Sequence, residues 1–202
     1  MRFILASSNK GKLKEFQKAF TPTPFELISA EEAGLNTFPD ETGQSYEENA
    51  LLKAHYAAST SGLYALADDS GLEVESLGGE PGLYSARYGD KETAQERLYH
   101  VLRKLESFPE GERGARFVCN LVLAKPDGSF KSFWGECSGE ITAVPHGKDG
   151  FGYAPIFFSH DLYKTFAEAS QEEKAQVSHR DKALKALFVW LETDEAKEFL
   201  SG

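Results

Sequence analysis

The tripeptide Pro126-Asp127-Gly128 separates two runs of extended character, Arg116–Ala124 and Ser129–Glu136. Proline, aspartate and glycine in that order are turn residues, so the two runs predict a hairpin. A hairpin requires antiparallel pairing, which argues against a purely parallel doubly wound sheet. Upstream, the hydrophobic period switches back and forth. Arg2–Ala6 reads as a strand, after which Leu13, Phe16 and Phe20 recur at helical spacing. Phe25–Ile28 reads as a second strand, and Ser45 with Glu48 has the spacing of a capping box, predicting a helix through His55 to near Ala58. Leu63–Ala67 is a strand expected to end at Asp68-Asp69-Ser70-Gly71, with Leu72–Glu75 extended again. Lys91–Glu106 reads as a helix with Leu98, Val101, Leu102 and Leu105 as its buried stripe. A further strand near Glu140–Val144 and a closing amphipathic helix from Ser178 to Glu192 complete the pattern. Strand–helix alternation followed by a hairpin block predicts an α/β fold, a mixed sheet with flanking helices drawn into two lobes.

With 202 residues, 41% of them hydrophobic and 27% charged, the chain suits one domain spanning residues 1–202. Its 22 Lys and Arg against 32 Asp and Glu give a net charge of −10, which argues against a protein that wraps nucleic acid. No apolar run approaches the roughly 18 residues needed to span a membrane. The apolar stretch Phe3–Ala6 is too short for a signal-peptide core. Cys119 and Cys137 make neither a disulfide framework nor a zinc set. A soluble, cytoplasmic protein is expected, with no nucleic-acid and no membrane partner.

Five segments have residue types that carry chemistry. Ser7-Ser8-Asn9-Lys10-Gly11-Lys12 lies between a strand and a helix, where backbone N–H groups and lysines suit an anion. The same residues also read as a plain helix cap by Ser8 or Asn9 with solvated lysines. Asp68-Asp69-Ser70-Gly71 places adjacent carboxylates at a strand terminus, to hold a cation or to make an Asp-Ser-Gly turn. Glu41 could complete a metal site with Asp69, and Lys53 could reach a phosphate; alternatively both are solvated charges. In Gly150-Phe151-Gly152-Tyr153-Ala154-Pro155 the rings of Phe151 and Tyr153 either stack on a flat ligand or plug the core. Lys174 with Ser178-His179-Arg180 gathers donors at the start of the last helix, for an anion, for a base carbonyl, or as surface charge.

Taken in order, these segments carry a resemblance. SSNKGKLKEF from Ser7, DETGQSYEENALLKA from Asp40, LADDSGLEVESLGGEPGLYSARY from Leu66, FVCNLVL from Phe117, DGFGYAPIF from Asp149 and EEKAQVSHRDKAL from Glu172 resemble the inosine triphosphate pyrophosphatase family, also called the RdgB/HAM1 family. The resemblance covers nearly the whole chain. It implies an elongated two-lobed domain with a central cleft and a homodimeric assembly. It also implies hydrolysis of deaminated purine nucleoside triphosphates such as ITP, dITP and XTP to a nucleoside monophosphate and pyrophosphate.

Residue by residue, the resemblance assigns Ser7, Ser8, Asn9, Lys10, Gly11, Lys12 and Lys53 to the triphosphate. Glu41 and Asp69 fall to Mg²⁺, Asp69 also to the role of general base, and Ser70 to substrate contact. Phe151, Gly152, Tyr153 and Ala154, with Lys174, His179 and Arg180, fall to the purine pocket. Ala154 departs from the family pattern, which has Asp there; alanine has no acceptor with which to read a base N–H. A pocket of His179 and Arg180 donors suits the 6-oxo group of hypoxanthine or xanthine and rejects the 6-amino group of adenine. Maf-like nucleotide pyrophosphatases, which carry an S-x-R-R-type loop where this chain has Ser8-Asn9-Lys10-Gly11-Lys12, are the alternative enzyme. A non-catalytic nucleotide sensor is the alternative of a different class. The total charge does not oppose an anionic ligand, because Lys10, Lys12, Lys53, Lys174 and Arg180 all lie in the candidate segments.

Overall fold

The first strand, β1 (Arg2–Leu5), leads into helix α1 (Lys10–Phe20), strand β2 (Glu26–Ser29), helix α2 (Tyr46–Ser61) and the long strand β3 (Tyr64–Val74). Helix α3 (Ala94–Lys104), strands β4 (Gly114–Ala124), β5 (Phe130–Ile141), β6 (Phe157–Ser159) and β7 (Lys164–Thr165), and helices α4 (Gln171–Val177), α5 (His179–Leu191) and α6 (Asp194–Ser201) follow. The computed structural model describes residues 1–201. The strands form a seven-stranded sheet in the order β2-β1-β3-β4-β5-β6-β7. β1 pairs in parallel with β2 and β3, whereas β5 with β6 and β6 with β7 are antiparallel. The fold is therefore a mixed α/β sheet with flanking helices. No helix among the described residues is long and apolar enough to cross a membrane.

Two compact units divide the chain. Unit one comprises Met1–Asp69, Asn120–Trp134 and Ala183–Gly202. In it α2 presents Ala50, Ala54, Ala57 and Ala58 to Ile4, Ala65, Ala67 and Val122. Such short side chains let a helix lie close to a sheet. Phe3 packs on Phe20, Phe25 and Tyr64, and Phe20 meets Phe188 of α5. The hairpin turn closes as expected: Lys125 N–H donates to Ser129 O at 2.8 Å, and Gly128 takes the positive φ of 95° that the turn requires.

Unit two comprises Ser70–Cys119 and Gly135–Lys182. Its apolar core includes the α3 stripe of Leu98, Val101 and Leu102, together with Leu105 just beyond the helix. Thr93 and Glu96 form a reciprocal capping box at the start of α3. The rings of Phe117, Phe157 and Phe166 contact one another at centroid distances of 4.6 to 5.8 Å.

Three sequence expectations are corrected. Leu63–Ala67 does not end at Asp68; β3 runs unbroken through Asp68-Asp69-Ser70-Gly71 to Val74. The charges are tolerated there because side chains distant in sequence supply partners, as described below. Glu140–Val144 is not a separate strand, since β5 continues through Gly139 to Ile141. That glycine marks a close approach rather than a break: a Cβ on it would stand 2.2 Å from Phe158 O and 2.8 Å from the Phe157 ring. The helix of Ser178–Glu192 does not close the chain, because α6 follows it.

The Gly139 contact gives a direct test. Gly139→Ala is expected to destabilise the protein by about 1–3 kcal/mol through overpacking. In a chain of this size each 1 kcal/mol lowers Tm by roughly 2–4 °C in thermal denaturation. An unchanged Tm would show that the β5–β6 pairing yields without cost.

Candidate active site

Asp68 and Asp69 stand side by side on β3 and are almost fully buried, at 1% and 7% exposure. Consecutive strand residues point to opposite faces, and the two carboxylates take different partners. Asp68 Oδ2 pairs with Lys12 Nζ at 2.8 Å. Asp69 Oδ2 accepts from Asn49 Nδ2 at 3.0 Å. Lys53 Nζ donates to the Asp68 carbonyl at 2.8 Å and to Glu41 Oε1 at 2.6 Å.

Helix starts place these partners. The Asn9 side chain accepts from the N–H groups of Gly11 and Lys12 at 2.8 and 3.1 Å, while Ser7 Oγ accepts from Asn9 N–H at 3.2 Å. This cap begins α1 and sets Lys12 in its first turn. Ser8 and Lys10 are exposed, and Ser7 and Gly11 half-buried. Ser45 caps α2 by accepting from Glu48 N–H at 3.1 Å. Asn49 and Lys53 lie four residues apart and so share one helix face. On that face Asn49 is fully buried. Its Oδ1 accepts from Gly43 N–H at 2.8 Å, which ties down the loop that carries Glu41.

Three carboxylates, Glu41, Asp68 and Asp69, thus surround two ammonium groups, Lys12 and Lys53, leaving one formal negative charge. Burial pushes the Asp69 carboxyl above its ordinary pKa. The charges of Lys53 and Lys12 and the Asn49 hydrogen bond only partly offset this, and the Glu41 charge adds to it. For Lys53, burial opposes the charged form, but Asp68, Glu41 and Asp69 outweigh it and raise its pKa.

The donor chemistry suits a divalent cation. Glu41 and Asp69 offer hard oxygen ligands, and the cluster retains negative charge. Among the described residues no three His, Cys, Asp or Glu side chains converge as a complete protein-only metal set. Mg²⁺ commonly uses one or two carboxylates, with water and substrate phosphates completing its shell.

Unit two holds a second set. Phe151 is 49% exposed, and the Arg180 guanidinium lies 5.9 Å over its ring. Tyr153 is buried instead, and its hydroxyl donates to Ser85 O at 2.9 Å. Burial also holds its pKa above the usual phenol value. The Ser85 hydroxyl in turn accepts from Leu72 N–H of β3 at 2.9 Å and donates to Gly82 O at 2.7 Å. His179 stacks on Phe117 with centroids 4.9 Å apart and planes 14° from parallel. His179 and Arg180 begin α5, where Ser178 Oγ accepts from Asp181 N–H at 3.1 Å. Gly150 and Gly152 have φ of 96° and 64°, which the loop satisfies with glycine. A Cβ on Gly150 would stand 3.6 Å from Lys174 Nζ and 3.0 Å from Ala154 Cβ. Ala154 is buried in the apolar core, and Ser70 is half-buried on β3.

The structure thus brings Lys12, Glu41, Lys53 and Asp69 into one cluster in unit one, and pairs Phe151 with Arg180 in unit two. Sequence reasoning missed Asn49 and the ring of Phe117 beneath His179. Asn49 had one legible signal: a polar residue in the buried stripe of Tyr46, Ala50 and Ala57.

The model of the Ham1 family matches residues 3–190. A Thermus thermophilus protein named dITP/XTP pyrophosphatase is 49% identical over 187 residues, covering 93% of this chain and 90% of the relative. One of the same name from Haemophilus ducreyi is 47% identical, covering 92% and 96%. The solved structure of a HAM1 protein from Coxiella burnetii superposes with a TM-score of 0.87 at 38% identity, covering 96% of this chain and all of that one. The Staphylococcus aureus Ham1 protein gives a TM-score of 0.83 at 40% identity, covering 95% and 98%. By family match, sequence identity and fold alike, the chain belongs to the Ham1 family.

Proposed function

We propose that the protein is a nucleoside-triphosphate pyrophosphatase that hydrolyses the α–β phosphoanhydride of deaminated purine nucleotides, ITP, dITP and XTP, with Mg²⁺. The observation that carries this reading is the cluster of half-buried Lys12, Lys53 and Glu41 around the buried Asp68 and Asp69. It offers cations to phosphates and hard oxygens to a metal at adjacent positions. The names of the relatives, dITP/XTP pyrophosphatase, support the same substrate class.

In this reading Glu41 and Asp69 hold Mg²⁺, which when bound stabilises negative charge on phosphoryl oxygens. Asp69 accepts the proton of the water whose oxygen attacks the α-phosphorus, as the bridging P–O bond to the β-phosphate breaks. Lys12 and Lys53 offset charge on the triphosphate and on the leaving pyrophosphate. The Ser7–Lys12 turn supplies hydroxyl, amide and lysine donors to the same phosphates, and Ser70 contacts substrate. Phe151, Gly152, Tyr153 and Ala154 with Lys174, His179 and Arg180 receive the purine. There Phe151 offers an exposed face for stacking, and Tyr153 fastens the loop through Ser85. Donors from His179 and Arg180 match a 6-oxo acceptor and leave the 6-amino group of adenine opposite another donor. Mispairing of buried polar groups discriminates by about 10⁴-fold. We read residues 1–202 as one catalytic domain, acting in the cytoplasm as a homodimer without nucleic-acid or membrane partners, in keeping with the family resemblance.

A pyrophosphate-release assay with Mg²⁺ across ITP, XTP, dITP, GTP, ATP, UTP and dTTP tests the reading. Fast turnover of the first three is expected, with the others near background, although rejection of GTP, which shares the 6-oxo group, does not come from the His179 and Arg180 donors; equal rates for all seven would remove the base selectivity.

Asp69→Asn separates activity from stability. Loss of the proton acceptor is expected to lower kcat by about 10²–10⁴-fold. Because folding raises the Asp69 pKa, the stability contributed by this group is greatest below its unfolded pKa. That contribution is lost as pH rises through the folded value. The amide removes this penalty and still presents an oxygen to Asn49. The variant should therefore melt higher than wild type in metal-free buffer near neutral pH, with each 1 kcal/mol worth roughly 2–4 °C. A lower Tm would show that Lys53 and Lys12 more than compensate the buried charge.

A further inference from the structure

We propose that Asn49 is a positioning residue that holds Asp69 and the Glu41 loop in register for their shared cation before metal or substrate arrives. The inference rests on the reading that Glu41 and Asp69 ligate that cation, and it adds a residue that has no charge and no place in the motif assignments above.

A carboxamide has one acceptor and one donor end, and here each end engages a different arm of the cluster. The Nδ2 end donates to Asp69 Oδ2 at 3.0 Å, and the Oδ1 end accepts from Gly43 N–H at 2.8 Å. Gly43 lies two residues after Glu41. One rigid side chain therefore spans from the strand that carries one ligand to the loop that carries the other. Asn49 is itself anchored in the second turn of α2, and its backbone N–H donates to Ser45 O at 3.1 Å.

The close fit around Gly43 shows that the loop is held rather than merely nearby. A Cβ on Gly43 would stand 2.7 Å from Glu48 Cβ, 2.8 Å from Asn49 Oδ1 and 2.9 Å from Asn49 N. Its φ lies outside the left-handed region, so the requirement for glycine is one of space and not of backbone conformation. A second bond braces the same loop, with Gln44 N–H donating to Glu48 Oε2 at 2.6 Å. Asn49 is fully buried, so its two hydrogen bonds act where water does not compete with them.

The orientation of Asp69 follows from this. The amide uses one of about four lone-pair sites on the carboxylate and restricts its rotation. Partners of this kind, bonded to a ligand rather than to the metal, typically account for about 10–100-fold in metal affinity.

Calorimetric binding of Mn²⁺ in the absence of nucleotide, together with steady-state kinetics on ITP with Mg²⁺, tests the proposal in the full-length protein. Asn49→Ala is expected to weaken Mn²⁺ binding by about 10–100-fold. It should lower kcat by a similar factor and leave the KM for ITP within about 3-fold, since Asn49 makes no contact assigned to the nucleotide. Gly43→Ala, which displaces the loop without opening a buried cavity, should shift Mn²⁺ affinity in the same direction and carries the test if Asn49→Ala fails to fold. Glu41→Gln and Asp69→Asn serve as references. If both references weaken Mn²⁺ binding while a folded Asn49→Ala and Gly43→Ala bind it as wild type does, the positioning role is overturned and the ligand reading stands. If the two references bind Mn²⁺ as tightly as wild type, the ligand reading is overturned and the proposal with it.

Discussion

Burial of two consecutive carboxylates in one strand is the constraint on which the rest of unit one depends. An ionised carboxylate removed from water costs several kcal/mol unless charges and hydrogen bonds compensate it. β3 would not hold Asp68 and Asp69 at 1% and 7% exposure without such compensation. The compensation comes from two helix starts. Asn9 sets the start of α1 and thereby the reach of Lys12 to Asp68. Ser45 sets the phase of α2, and the four-residue spacing of Asn49 and Lys53 then delivers an amide to Asp69 and an ammonium to Glu41 and the Asp68 carbonyl. Local capping, worth about 1 kcal/mol at each helix, thus determines where much larger electrostatic terms are applied. The alanine face of α2 serves the same end, because a helix carrying bulky side chains there would stand farther from the sheet.

Much of this fold was legible from period and turn chemistry alone. The hairpin at Pro126-Asp127-Gly128, the α3 stripe and the cap at Ser45 are local signals, and local geometry realises them. What failed to show was decided at a distance. β3 looked as though it ended at Asp68, because carboxylates in a strand read as a terminus. The groups that keep it going come from 56, 20 and 15 residues away, in Lys12, Asn49 and Lys53. Ser129–Glu136 and Glu140–Val144 read as two strands for the parallel reason that the use of Gly139 between them depends on Phe157 and Phe158 of another strand. In the candidate site the charged residues stood out, because lysines and carboxylates carry an obvious chemistry. Asn49 did not, since an uncharged amide in a helix announces nothing until its neighbours are known.

The aromatic residues of unit two show how a single local pattern can divide. Phe151 and Tyr153 flank the same glycine, and sequence alone could not separate a stacking face from a core plug. The structure gives one of each: Phe151 is exposed beneath Arg180, and Tyr153 is buried and bonded to Ser85. The division has a mechanical sense. Ser85 also bonds the β3 backbone at Leu72, so the fastened ring ties the Gly150–Pro155 loop to the strand that carries Ser70. His179 and Arg180, at 6% and 7% exposure, rest against the faces of Phe117 and Phe151. The flat stack on Phe117 restricts the imidazole plane, so the in-plane N–H donor of His179 has a defined direction. In the proposed purine-reading role, a donor aimed in advance would discriminate between oxo and amino groups more sharply than one free to turn away, because it does not reorganise to accept the wrong partner.

On the proposed reading, the internally paired cluster of an acidic protein suits a metal–triphosphate complex better than either component. In the structure each lysine already has a carboxylate or carbonyl partner, at 2.6 to 2.8 Å. A phosphate arriving alone would draw Lys12 or Lys53 away and leave buried Asp68 or half-buried Glu41 without its counter-charge. A cation arriving alone would satisfy the carboxylates and leave the ammonium groups facing it. A magnesium–triphosphate complex brings both charges together, so that carboxylates exchange lysine for metal as lysines exchange carboxylate for phosphate. On the proposed reading, a protein of net charge −10 takes up a triphosphate that brings its cation more readily than free phosphate or a nucleic-acid backbone, while its carboxylates stay available to a divalent cation alone.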